Sequence, residues 1–116
     1  MKLPNADRAV VDIRKLRDYC LNPDHLRGKH KARVFAAALG LTSDHAEDLE
    51  KALLQAAITE DAMATDKDEF GQRFVAEFTM KGPMGEGCRS SWIIRTGEDF
   101  PRLTSCYLIE GNRGDA

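Results

Sequence analysis

Lys29, His30, Lys31 and Arg33 crowd into five consecutive positions, between Gly28 and the apolar run Val34-Phe35-Ala36-Ala37-Ala38-Leu39. Histidine exchanges protons near neutral pH. Ammonium and guanidinium groups hold anions, the guanidinium bidentately. If a helix starts near Gly28, these cations sit in its first turn, where backbone N–H groups are unpaired and the dipole already adds positive charge. Cations there oppose the helix, and a bound phosphate or carboxylate relieves the conflict. Lys29, Lys31 and Arg33 are therefore candidate anion ligands, with His30 as the proton-exchanging group. The same residues also suit a solvated basic face with a half-buried histidine.

A second set lies further along. Arg73 and Arg89 fall, with Arg95, on strand positions opposite the large apolar residues Phe74, Phe78, Trp92 and Ile94. Arg89, Ser91 and Glu77 are possible cross-strand neighbours, and Arg102, Thr104, Ser105 and Tyr107 extend the polar face if the third strand has the right parity. A histidine, several arginines and hydroxyls suffice for metal-independent phosphodiester cleavage. One group takes the 2′-hydroxyl proton, another protonates the leaving oxygen, and cations hold the phosphate. The catalytic candidates are His30, Arg73, Arg102, Thr104 and Tyr107; Arg89 joins the anion ligands. An exposed face of paired charges fits the strand residues equally. His25 and His45 are lesser candidates. No metal-ligand spacing, glycine-rich phosphate loop or Ser-His-Asp pattern is present, so no metal and no cofactor are expected.

These side chains need elements to position them. Leu3-Pro4-Asn5-Ala6 reads as a turn, and Ala9-Val10-Val11 as an extended piece. Asp12 caps a helix to about Leu21, which Asn22-Pro23 ends. A second helix is expected from about Gly28 to Leu39, stopped by Gly40. A third starts at Thr42-Ser43-Asp44, with Leu49, Ala52, Leu53, Ala56 and Ala57 on one face. Residues 60–69 show no pattern and read as a loop. The period then becomes alternating, with Phe74, Ala76, Phe78 and Met80 on one side of a strand. Gly82 to Gly87 makes a hairpin loop. Further strands follow near Cys88–Thr96 and Arg102–Glu110, and the tail from Gly111 frays. The fold expected is α+β: N-terminal helices packed on a C-terminal three- to four-stranded antiparallel sheet. The chain of 116 residues reads as a single domain, 1–116.

Net charge is −2 and pI about 5.9, far below a broadly basic nucleic-acid coat. The distribution is uneven: residues 1–35 carry +5, residues 36–70 carry −7, and the remainder balances. One surface thus attracts anions while another repels them. Cys20, Cys88 and Cys106 form no Cys-x-x-Cys pair and read as small buried thiols. No apolar run approaches a membrane span, and the first residues lack a secretory signal's apolar core. A cytoplasmic location is the expectation.

Leu3–Ala6, Lys15–Pro23, Gly28–Phe35, Phe70–Phe74, Trp92–Ile94 and Pro101–Tyr107, in that order, resemble a small bacterial domain family of unknown function. Its members occur as short stand-alone proteins, and similar domains end large secreted proteins that carry toxin modules. The resemblance implies a toxin-like or toxin–antitoxin setting, with a helix-then-sheet shape similar to barnase-, colicin- and RelE-type ribonuclease toxins. The positions matching its polar blocks are Lys29, His30, Lys31, Arg33, Gln72, Arg73, Trp92, Arg102, Thr104 and Tyr107. The reading that follows is a phosphate- or RNA-directed domain, in concrete form a metal-independent ribonuclease. The alternatives are a non-catalytic module binding a small acidic protein and a homo-oligomer joined at a free sheet edge.

Overall fold

A computed structural model describes residues 1–22, 24–26, 32–36, 41–79 and 87–108. Helices come first and an antiparallel sheet last, the α+β architecture the periodicities predict. The first helix, α1, begins as a single α-turn at Ile13–Lys15 and continues as a π-turn over Leu16–Cys20. Asp12 caps it by accepting from the Arg14 N–H at 3.0 Å. The wider π spacing closes with the Leu21 N–H on the Leu16 carbonyl. It brings Leu16, Cys20 and Leu21 onto one buried side, each 2% exposed or less. Residues 32–36 form the described part of α2, with Ala32 and Phe35 buried. Lys29, His30, Lys31 and the expected stop at Gly40 lie outside the described residues.

After a 3₁₀ turn at Ser43–His45 comes α3, Ala46–Thr59. Thr42 and His45 cap each other reciprocally there, and the Thr42 N–H donates to His45 Nδ1 at 3.0 Å. His45, a lesser site candidate, is thus used to start a helix. Ala46, Leu49, Leu53, Ala56 and Ala57 form its buried stripe.

The sheet is a four-stranded meander: β1 (Ala62–Asp68), β2 (Gly71–Thr79), β3 (Gly87–Arg95) and β4 (Arg102–Leu108), in spatial order β1-β2-β3-β4. The expectation of a loop over 60–69 is wrong. As an edge strand with only Ala62 buried, β1 has no dry face to impose alternation, and a register shift between Ala64 and Lys67 breaks what period remains. Its charged residues Asp66, Lys67 and Asp68 suit an edge exposed to water. Gly71 has φ 147°, and a Cβ there would lie 2.2 Å from the Ile94 carbonyl oxygen, so only glycine lets β2 turn in this close to β3. Val10 makes the expected extended contact, a parallel bridge to Arg102. Met80, most of the loop from Gly82 to Gly87, and the tail lie outside the described residues.

The helices cover one sheet face. Leu16, Phe35, Leu49 and Leu53 meet Phe74, Ala76, Trp92 and Cys106 in a single buried cluster. Trp92 is fully buried at its centre. Its Nε1–H donates to Ser90 Oγ at 2.9 Å, and that hydroxyl donates to the Ala76 carbonyl at 2.8 Å. One small hydroxyl therefore satisfies the only polar atom of the largest core side chain and ties β3 to β2. Replacing Ser90→Ala orphans a buried indole N–H. We expect a loss of about 1–3 kcal/mol in unfolding free energy, read by urea denaturation with an unchanged m-value.

Candidate functional site on the open sheet face

Strand parity, fixed by the buried Trp92, turns the odd-numbered residues of β2 and β3 away from the helices. Three cross-strand rows result. Arg73, Ile93 and Arg102 form the first; Val75, Ser91 and Ser105 the second; Glu77, Arg89 and Tyr107 the third. Neighbouring strands are about 4.8 Å apart, so Arg73 and Arg102 rise from backbones about 10 Å apart on either side of Ile93. The rows are about 7 Å apart along each strand. Long side chains thus bank a middle row whose β3 and β4 positions are small hydroxyls, giving a shallow trough with Ser91 and Ser105 on its floor. No described helix covers it.

Each guanidinium is held in place. Arg102 makes a bidentate pair with Glu98 (2.9 and 3.0 Å) and lies 4.8 Å above the Phe100 ring. Arg73 donates to Asp68 at 2.6 Å. The same Asp68 carboxylate accepts the Phe70 N–H at 2.9 Å, which locks the β1–β2 turn to that arginine. Arg89 donates to Tyr107 Oη at 3.1 Å and to Glu77 at 3.4 Å. Its Nε is buried without a partner among the described residues, a donor that the fold leaves over. Arg95, on the same face and two residues beyond Ile93, is exposed and makes no ion pair among the described residues. Ile93 is only 7% exposed. Its register neighbours are the two arginines, whose aliphatic stems shield apolar surface while their heads stay wet.

Thr104 lies in a register shift of β4, between the pairs Ser91–Ser105 and Trp92–Leu103. There its hydroxyl donates to the Ser91 carbonyl at 3.0 Å. With Ser105 it lines a cleft of about 150 Å³ at the sheet edge, completed by Lys15, Tyr19 and Cys20 of α1. Lys15 Nζ donates to the Thr104 carbonyl at 3.5 Å, and the His25 ring meets Tyr19 edge-on at 4.5 Å. Ser105 of the middle row thus also lines a cleft that holds a cation and a phenol, with a neighbouring imidazole. Sequence reasoning missed Lys15 and Tyr19, although their i, i+4 spacing marks them as one helical face. The bulge that opens the cleft carries no sequence signal.

Arg33 stands apart. It is exposed on α2, beside a cavity of about 340 Å³ lined also by Leu21, Ala32, Thr42 and Asp44. That is the helical side, separated by the sheet from Arg73, Arg89 and Arg102. Among the described residues no cluster of three or more His, Cys, Asp or Glu could hold a metal ion.

The ion pairs leave an acid signature. Hydrogen bonding to Arg73, then to the Phe70 N–H, holds the Asp68 carboxyl below its ordinary value. Arg102 does the same to Glu98, and Arg8 to Asp99. Carboxyls depressed by folding stabilise the protein above their unfolded pKa, and that contribution is lost as pH falls through the folded value. The melting temperature is thus expected to decline as pH drops below about 4. The decline should be shallower in Glu98→Gln, as followed by circular dichroism.

No curated protein and no solved structure matches the chain. The family described as a domain of unknown function (DUF6883) matches residues 2–110. With that match spanning the helices, the sheet and the arginine rows alike, the chain belongs to this family of uncharacterised domains.

Proposed function

We propose that the domain binds RNA, or a phosphate ligand of the same chemistry, in the trough on the open sheet face, and that it acts there as a toxin-like, metal-independent ribonuclease. The observation that carries this reading is the row Arg73–Ile93–Arg102 facing Arg89–Tyr107 across the serine floor. Phosphodiester oxygens are planar bidentate acceptors for guanidinium. Four arginines on one face offer several contacts to a chain of phosphates. Thr104, Ser105 and Tyr107 supply hydroxyls that would orient a scissile group. His30 keeps the role of general acid/base from its chemistry and its basic surroundings in the sequence; its own position lies outside the described residues. Lys29, Lys31 and Arg33 remain proposed anion ligands of that segment.

Glu77, Asp68 and Glu98 hold the arginines in fixed poses and also compete with phosphate for them. Binding is therefore moderate and salt-dependent, since each phosphate neutralised releases counterion. The same three pairs favour a second reading. A face of satisfied ion pairs with Val75 and the exposed Met63 beside them suits a small protein partner, because Arg, Met and Tyr are the residues interfaces prefer.

Purified protein should cleave RNA in the presence of a metal chelator and slow growth when expressed. His30→Ala should lower the cleavage rate about 10²–10⁴-fold. Arg73→Ala with Arg102→Ala should weaken RNA binding and flatten its salt dependence by about two phosphate contacts. Absence of both cleavage and growth arrest in the wild type rules out the ribonuclease. A complex with a small acidic protein, intact without RNA and lost in the arginine double variant, establishes the second reading.

A further inference from the structure

The three cysteines fold into one place. Cys20 Sγ and Cys106 Sγ lie 3.9 Å apart, joining the end of the α1 π-turn to the edge strand β4 across 86 positions of chain. Cys88, on the neighbouring strand, sits diagonally from Cys106, since Cys88 pairs with Leu108 and Ser90 with Cys106. Burial and the nearby Cys20 push the Cys88 thiol up to about 12, which keeps it protonated and unreactive. The three are not equivalent in access either. Cys106 and Cys88 are wholly buried, whereas Cys20, only 2% exposed, is one wall of the 150 Å³ cleft that opens beside Lys15 and Tyr19.

We propose that Cys20 and Cys106 are a redox-modification site: a peroxide entering the cleft oxidises Cys20, and Cys106 resolves it into a disulfide that pins α1 to β4. In the first step the Cys20 sulfur attacks one peroxide oxygen as its thiol proton is given up. An S–O bond forms, the O–O bond breaks, and the departing hydroxide takes the thiol's proton as water. In the second step the Cys106 sulfur attacks the Cys20 sulfur. The S–S bond forms, the S–O bond breaks, and water leaves with the Cys106 proton. Two thiols lose two electrons and hydrogen peroxide becomes two waters. The first step favours Cys20 because it alone of the three cysteines lines the cleft, and the second favours Cys106 because its sulfur already lies 3.9 Å from that of Cys20.

The bond would act on the chain as a whole. Closing a loop of this length removes much of the unfolded chain's freedom, so the oxidised protein should melt several degrees higher than the reduced one. It would also fix α1 against the β4 register shift, where Lys15, Thr104 and Ser105 shape the cleft. The site stands independently of the RNA reading.

The test treats the folded protein with hydrogen peroxide, alkylates remaining thiols after denaturation, and weighs the product. The expected product has lost the mass of two hydrogens, carries one alkyl group, on Cys88, and yields on digestion a Cys20–Cys106 linked peptide with a raised melting temperature. Cys88→Ala should form the same link, whereas Cys20→Ala and Cys106→Ala should not. Three alkylated thiols, a link that includes Cys88, or Cys20 driven to sulfinic acid without a link would overturn the proposal. Because the peptide map is made on the wild type, a core variant that fails to fold does not remove the test.

Discussion

The Trp92–Ser90–Ala76 chain of hydrogen bonds fixes which way the central strand faces. Trp92 is the largest side chain in the core, and its one polar atom is satisfied only when Ser90 lies on the same side of β3 and next to Ala76 of β2. Residue alternation in a strand has period two, so a slip of one position would turn Trp92 into water and Arg89 and Ser91 into the core. Everything on the open face inherits that choice. Arg89, Ser91, Ile93 and Arg95 point outward because Cys88, Ser90 and Trp92 point in, and β2 and β4 follow through their register with β3.

A sheet covered on one side must make its other side tolerable to water. This one does so with arginines beside Ile93 whose heads are balanced by Asp68, Glu98 and Glu77. The exposed pairs add little to stability individually. Their larger effect is on order, since a guanidinium held by a bidentate carboxylate and an aromatic ring has lost its rotamer freedom before any ligand arrives. The cost is competition, because a phosphate must share or displace those carboxylates. Under the RNA-binding proposal, such a face would engage a ligand that makes several contacts at once rather than a lone anion.

Much of the fold was legible because its elements obey simple periods. The stripe Leu49, Leu53, Ala56, Ala57 marked α3, and the alternation from Arg73 to Phe78 and from Arg89 to Arg95 marked β2 and β3 together with their polar faces. β1 escaped because an edge strand open to water on both sides has no buried face to write a pattern. The site was partly legible for the same reason. Arg73 and Arg89 share a face that parity suggested, whereas Arg102 and Tyr107, of opposite parity, both join it only through the register shift in β4. Thr104 was harder to place, because a one-residue bulge moves it off that face and into an edge cleft with Lys15 and Tyr19, a juxtaposition that only tertiary packing creates. The charge asymmetry along the chain says still less about space: Arg33 belongs to the +5 segment yet lies on the opposite side of the sheet from the arginine rows.

The most direct measurement is a map of backbone amide shifts by NMR as an oligoribonucleotide is titrated into the protein. Perturbations are expected to concentrate at Arg73, Arg89, Ser91, Arg102 and Ser105, to reach Thr104 at the edge and to spare α3. Perturbations confined to the helical side around Arg33 and Asp44, or none at all at concentrations that saturate a nucleic-acid-binding domain, would contradict binding on the open sheet face.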